Sequence, residues 1–204
     1  MDHIFIRFYL NIKPLCEQVA LIGVIVVLHA LSASLGVGTV IVTDVFFMKF
    51  LKDYKISASE ADILDTLSQV VWFALGLLIL TGVALFLPTS AEYLAKTKFV
   101  AKVVILGVVI VNGVLLNLFV APKLIKISFG EEPQDYPHEL HSLRKFAFAF
   151  GAVSMVSWIC TFVLGSLRSL PLSVAALLLI YLFLILCAVI GSQVFEYKLG
   201  RHKI

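Results

Sequence analysis

Apolar residues in this chain run in five long blocks separated by more polar segments. Each block is long enough to cross the hydrocarbon core of a bilayer, which takes about 20 helical residues. Lipid offers the backbone no hydrogen-bond partners, so such runs must be helices; a β-barrel would show alternation instead. The pattern predicts an all-α polytopic membrane protein, a bundle of five transmembrane helices spanning about 19–47, 63–87, 99–121, 146–167 and 172–195.

The segment before the first span is different in character. Residues 1–18 mix Arg7 and Lys13 with large apolar side chains, and Pro14 is expected to break the stretch. An interfacial helix lying on the membrane and a frayed lead-in both fit this pattern. A cleaved signal peptide is disfavoured, because the apolar run continues to Phe47. The predicted organisation is this N-terminal segment, a membrane domain over 19–197 and a short basic tail over 198–204.

Composition excludes several classes of protein. Hydrophobic residues make up 61% of the chain and charged residues 14%, against about 25% charged in ordinary soluble domains. With a mean hydropathy of +1.04, a soluble globular enzyme, a disordered chain and a secreted disulfide scaffold are all excluded. The three cysteines lack metal-type spacing, and no basic run is dense enough to indicate nucleic acid. The expected partner is the lipid bilayer, with a homo-oligomer or a larger membrane complex left open.

Basic residues in the connections predict the orientation. Six lie on the side of the N-terminus and ten on the side of the C-terminus. The first set is Arg7, Lys13, Lys96, Lys98, Lys102 and Arg168, and the second is Lys49, Lys52, Lys55, Lys123, Lys126, Arg144, Lys145, Lys198, Arg201 and Lys203. We therefore expect the N-terminus outside and the C-terminus in the cytoplasm, in a plasma (inner) membrane.

Two basic side chains, those of His29 and Lys102, are expected within the outer half of the membrane. His29 is the only histidine within a span, and helical spacing puts small residues, including Gly36, on its side of the helix. That space suits a neighbouring helix, a substrate or a flat cofactor. Lys102 lies about one turn inside the third span, in the same half, so the two side chains can meet. Alternatively, His29 is a hydrogen-bonded packing residue and Lys102 extends to the interface.

Other intramembrane polar residues gather toward the opposite side. Asp44, near the end of the first span, and Asp65, near the start of the second, form an inner mouth together with Gln69. Asn112 and Asn117 of the third span should face the bundle interior. A path for a proton or cation is one interpretation, and helix capping with interhelical hydrogen bonds is the other.

The fourth span carries Trp158 on a seam of small residues, where it either packs against a helix or stacks on a ring ligand. His138 and His141 are three residues apart, but no third metal ligand is spaced with them. No phosphate-binding loop, dinucleotide fingerprint, nucleophile elbow or zinc-protease motif is present. Whether the protein is an enzyme therefore stays open.

Several short motifs resemble a group of small bacterial membrane proteins. They are Leu28-His29-Ala30, Gly36-Val37-Gly38, Thr81-Gly82, Lys98-Phe99-Val100-Ala101-Lys102 and Asn112-Gly113. Over about residues 28–117 the chain resembles the HemJ-type protoporphyrinogen oxidases, the membrane portion of CopD-type copper-resistance proteins and their relatives. The resemblance implies an association with haem or porphyrin and electron transfer, with His29 and Lys102 at the recurring histidine and lysine positions.

Three functions are compatible with these features. The first is a haem- or porphyrin-associated redox protein, with haem b as the possible cofactor. His29 would be its iron ligand or proton-transfer group, and Lys102 would pair with a carboxylate. Since only one histidine lies in a span, the iron site would have His29 as its single ligand, pair His29 with Met155, or lie between two subunits. The others are a small ion or metabolite transporter and an accessory subunit of a membrane complex.

Overall fold

A computed structural model describes the backbone of residues 2–50, 57–120, 122, 137–167 and 170–201. Side chains are described over 19–50, 57–88, 90–120, 122, 142–167 and 170–198. Across these residues the chain is helical and contains no strand. The helices are α1 (Asp2–Phe50), α2 (Ala58–Phe86), the short α3 (Ser90–Leu94), α4 (Thr97–Leu115), α5 (Pro137–Ser166) and α6 (Val174–Arg201). A 3₁₀ turn (Leu87–Thr89) follows α2, and a π turn (Leu116–Val120) extends α4.

Within the described part of the chain, five helices are long and apolar enough to cross a membrane, as the sequence predicted. The candidate spans are Val19–Phe50, Ala58–Phe86, Thr97–Val120, Ser142–Ser166 and Val174–Lys198. The fold is thus an all-helical bundle of the kind found in multi-pass membrane proteins. The bounds differ from the predicted ones by a few residues at each end.

Two local expectations were wrong. Pro14 does not break the N-terminal segment, since α1 continues through it into the first span. A proline removes one backbone hydrogen bond, and in a long helix this need not end the helix. The connection expected over 123–145 is shorter, because α5 already begins at Pro137, a residue type that suits a first helical turn.

The helices pack around two apolar clusters. In the first cluster α1, α2, α4 and α5 meet, and its buried members are Val40, Leu75, Leu78, Val109 and Trp158. In the second, α4 and α5 meet α6 through Ala101, Ile105, Leu164, Leu177 and Tyr181. Much of α6 stays exposed, with Phe183 and Ile190 each 64% accessible. Such a surface suits contact with lipid.

Helix ends follow from local sequence. Ser57 and Glu60 form a reciprocal capping box at the start of α2, satisfying backbone donors that have no partner inside the helix. After α2, the rings of Phe86 and Phe99 stack with centroids 5.3 Å apart, and Tyr93 packs beside them under the Lys96 ammonium. Aromatic and basic side chains are typical of the membrane–water boundary.

A buried ion pair joins the beginning of α5 to the end of α6, away from the loop that connects the two helices. The Arg144 guanidinium donates to Glu196 Oε1, with Nε at 2.8 Å and a second contact from Nη2. The two side chains are almost fully buried. The sequence analysis places Arg144 in a connection, whereas the structure buries it between these two helices. At this depth the pair fixes the relative position of the two helices.

Substitutions of this pair should be strongly non-additive. Arg144→Met or Glu196→Met alone is expected to destabilise the protein by about 3–5 kcal/mol, because each leaves a buried charge without its partner. The double substitution should recover much of that loss. Thermal unfolding in detergent, followed by the monodisperse gel-filtration peak, measures this cycle. Additive losses in the double variant would contradict the assigned pairing.

Candidate functional site

The first polar group in the bundle interior is built around His29. Its ring lies between α1, α2 and α4, with Nδ1 2.9 Å from Thr81 Oγ1 and Nε2 3.3 Å from Lys102 Nζ. Two neighbouring glycines, Gly82 and Gly165, leave room for the His29 and Lys102 side chains. A Cβ on Gly82 would lie 3.3 Å from the His29 ring, and one on Gly165 would lie 3.4 Å from Lys102 Nζ. All four inner helices therefore contribute to the group.

The hydrogen bonds around His29 have a defined direction. The Thr81 hydroxyl donates its single hydrogen back to Leu77 O at 2.7 Å, so its oxygen is left to accept from His29 Nδ1–H. That tautomer leaves a lone pair on Nε2, which faces the Lys102 ammonium. No carboxylate of the described residues pairs with either group. Two positive charges at this separation repel strongly, so the pair is expected to carry one positive charge and not two.

Trp158 occupies the middle of the bundle, where α5 crosses α1. Its side chain is 2% exposed, and its six-membered ring lies directly against Gly36. Any Cβ at position 36 would overlap ring carbons of the indole. The open space that the sequence suggested beside Gly36 is therefore filled by Trp158. Met155, one turn away on α5, packs on the same apolar cluster.

The second polar group lines a cavity of about 170 Å³ enclosed by α1, α2, α4 and α5. On every one of these helices the cavity residues lie on the far side of Trp158 from His29 and Lys102. Its polar lining consists of Thr43, Asp44, Asp65, Ser68, Asn112, Asn117 and Ser154. Trp72 and Trp158 supply the aromatic walls. Since Asp65 is exposed, the cavity extends from the middle of the bundle toward one end.

The polar lining of this cavity is only partly hydrogen-bonded within the described residues, as Asn112 and Asp44 show. Asn112 is only 4% exposed and donates from Nδ2 to Phe150 O at 3.0 Å. Its carbonyl oxygen makes no hydrogen bond with any residue that the structure describes. The Asp44 carboxylate, half-buried against Gly151, likewise has no hydrogen bond or ion pair among the described side chains. Buried groups of this kind normally have a partner, and a ligand or water can supply it.

The structure brings together most of the residues singled out from the sequence. His29 meets Lys102, Gly36 meets Trp158, and Asp44 and Asp65 share a cavity with Asn112 and Asn117. Gln69 instead lies outside the cavity lining and donates to Asp65 Oδ2 at 2.9 Å. The side chains of His138 and His141 lie outside the described residues.

Sequence reasoning missed two members of these groups. Thr81 orients the His29 ring, and Trp72 forms a cavity wall against Gly113. A signal for Trp72 was present, since a large ring at one position pairs with a small residue on the facing helix. Thr81 had no such signal, because threonine in a span commonly bonds only its own helix.

The arrangement around His29 does not fit a haem bound through this residue. Nδ1 faces Thr81, and Nε2 faces Lys102, so neither ring nitrogen is free to bind iron. Met155 packs in the apolar cluster around Trp158 rather than opposite His29. Haem binding elsewhere or after rearrangement of these side chains stays a prediction.

Comparison of the chain with protein-family models, with curated proteins and with solved structures finds no match. The functional proposal therefore rests on the two polar groups and on the apolar contact that separates them.

The contact between Gly36 and Trp158 gives a matched pair of substitutions. Gly36→Ala should destabilise the protein by about 1–3 kcal/mol, since the new methyl group overlaps the indole ring. Gly38→Ala should leave stability unchanged or raise it by up to about 1 kcal/mol, because nothing lies within 4 Å and alanine favours helix. Thermal unfolding in detergent compares the two. Equal midpoints for both variants would show that the contact is not present in solution.

Proposed function

We propose that the protein is a membrane carrier that moves a small solute together with protons through the interior of α1, α2, α4 and α5. The observation that supports this most directly is the division of the polar interior. A solute-sized cavity lies on one side of Trp158, and a protonatable pair lies on the other. Titratable groups at membrane depth are costly and commonly mark ion or proton pathways.

The two groups lie along one axis of the bundle. On α1, His29 and Asp44 are 15 residues apart, which corresponds to about 22 Å along a helix. Gly36, the contact point of Trp158, lies midway between them. A carrier needs such a closed centre, because a path open at both ends at once would dissipate gradients. Glycines at 36, 82, 151 and 165 let the side chains of Trp158, His29, Asp44 and Lys102 pack closely against the facing helices.

The His29–Lys102 pair supplies the proton chemistry of the proposal. A single positive charge shared by the two groups can be accepted from, or released to, the aqueous side at the nearby helix ends. Lys98, one turn away, donates to Leu167 O at the end of α5 and keeps this region close to the polar boundary. Protonation of the pair would change the charge next to α5, which also carries Trp158.

Orientation and location are part of the same proposal. The larger number of basic residues on the side of the C-terminus favours a cytoplasmic location for the Asp44 end of the cavity. The pair of His29 and Lys102 would then face outward, in a bacterial plasma (inner) membrane. The resemblance to the HemJ-type and CopD-type proteins stays a prediction, and the transport proposal does not depend on it.

Thiol labelling from each side of the membrane tests the proposal without knowledge of the solute. In a background with all three cysteines replaced by alanine, Asn117→Cys and Thr81→Cys are introduced singly. Each is then treated with a membrane-impermeant cationic methanethiosulfonate in vesicles of known orientation. We expect Asn117→Cys to react only from the cytoplasmic side and Thr81→Cys only from the outer side, because each position joins a different aqueous phase.

Leu182→Cys, on the exposed apolar surface of α6, serves as the control and should react only after denaturation. Reaction of both test positions from the same side, or of neither before denaturation, would refute the carrier. The visible spectrum of the purified protein gives an independent check. A Soret band that is lost in His29→Ala would favour the haem-associated redox protein instead.

A further inference from the structure

The cavity on the Asp44 side has the chemistry of a site for one class of solute. We infer that it binds a small organic ammonium ion, with the Asp44 carboxylate as counter-charge and the rings of Trp72 and Trp158 as walls. As the substrate class of the carrier, this inference rests on the proposed function. The binding site itself can be tested separately from transport.

The charged residues that line the cavity determine the sign of the charge on the ligand. Asp44 and Asp65 both line the cavity, and no lysine, arginine or histidine among the described side chains does. Asp65 is exposed and accepts from Gln69, whereas Asp44 is half-buried and has no partner among the described residues. A carboxylate in a largely apolar wall is stabilised by a cation that comes with its own apolar surface. Asp44 is therefore the main counter-charge.

Size and wall chemistry favour an organic cation over a metal ion. A cavity of about 170 Å³ is slightly larger than an apolar cavity of about 150 Å³ known to hold benzene. Calcium takes six to eight oxygen ligands, usually with several carboxylates, whereas the described residues contain no group of three or more side chains that could hold a metal ion. Aromatic rings instead attract alkylammonium groups through their negatively charged faces.

Asn112 adds a polar contact on the α4 side of the cavity. Asn112 lines the cavity, its side chain is 4% exposed and held in place through Nδ2, and its carbonyl oxygen has no hydrogen-bond partner among the described residues. That oxygen accepts a hydrogen bond from an ammonium N–H or from a hydroxyl group of the ligand. The best fit is thus an ammonium ion of about benzene's size that carries one further donor.

Intrinsic fluorescence reports on this site without a label. The chain has two tryptophans, Trp72 and Trp158, and both line the cavity. The full-length protein in lipid nanodiscs is titrated with choline and, separately, with its neutral carbon analogue 3,3-dimethylbutan-1-ol. We expect a saturable fluorescence change with choline and none with the analogue at the same concentrations. Sodium and magnesium chloride serve as inorganic cation probes and should not compete.

Matched variants assign the counter-charge. Asp44→Asn should weaken choline binding by about tenfold or more, since the ligand charge then lacks its buried partner. The variant keeps its shape and loses no protein contact, so it should fold normally. Asp62→Asn makes the same charge change on the exposed surface of α2, outside the cavity, and should bind choline like the unsubstituted protein.

Equal responses to choline and the analogue, unchanged binding in Asp44→Asn, or no response to choline would each overturn the inference. Competition by magnesium at lower concentration than choline would identify a metal site and also overturn it. A result that refutes only the proposed carrier can be distinguished from these outcomes. Choline binding that requires Asp44, combined with two-sided labelling that contradicts transport, would leave the ammonium site in place and refute only the carrier.

Discussion

The contact between the Trp158 ring and Gly36 fixes how closely α5 can approach α1. Glycine is required there because any side chain would overlap the indole. With the ring in this position, apolar side chains of α1, α2, α4 and α5 close around it. The polar interior is thereby divided into the His29–Lys102 group and the Asp44 cavity. Both groups are built from the same four helices, and they lie in opposite halves of the bundle along its axis.

The low dielectric of a membrane interior explains why the two groups stand out. Most buried polar side chains here are satisfied: Arg144 pairs with Glu196, and Ser157 bonds Tyr181 at 2.7 Å. Asp44 and the Asn112 carbonyl oxygen lack such partners among the described residues, and the His29–Lys102 pair has no counter-charge there. Groups left this way cost free energy in apolar surroundings. The protein retains them at two defined depths, and the proposed proton-coupled carrier would use both.

Sequence pattern was sufficient for the coarse architecture and for much of the interior. Apolar block length gives the five spans, and the cost of polar groups at membrane depth singles out His29, Lys102, Asp44 and Asn112. What it could not give is which helices face one another, because periodicity within a helix says nothing about its neighbours. From the sequence alone, the space beside Gly36 could therefore be assigned to a cofactor, whereas the structure has the Trp158 ring there. The burial of Arg144 was missed for the same reason, since its partner Glu196 lies on another helix 52 positions away.

The seal formed by Trp158 can be measured directly as proton leak. Proteoliposomes containing a trapped pH-sensitive dye are exposed to a potassium diffusion potential, with Trp158→Ala compared with the unsubstituted protein. Our account predicts tight vesicles for the unsubstituted protein and a leak for Trp158→Ala that Lys102→Gln abolishes in the double variant. A folded, monodisperse Trp158→Ala protein that remains as tight as the original would contradict the account.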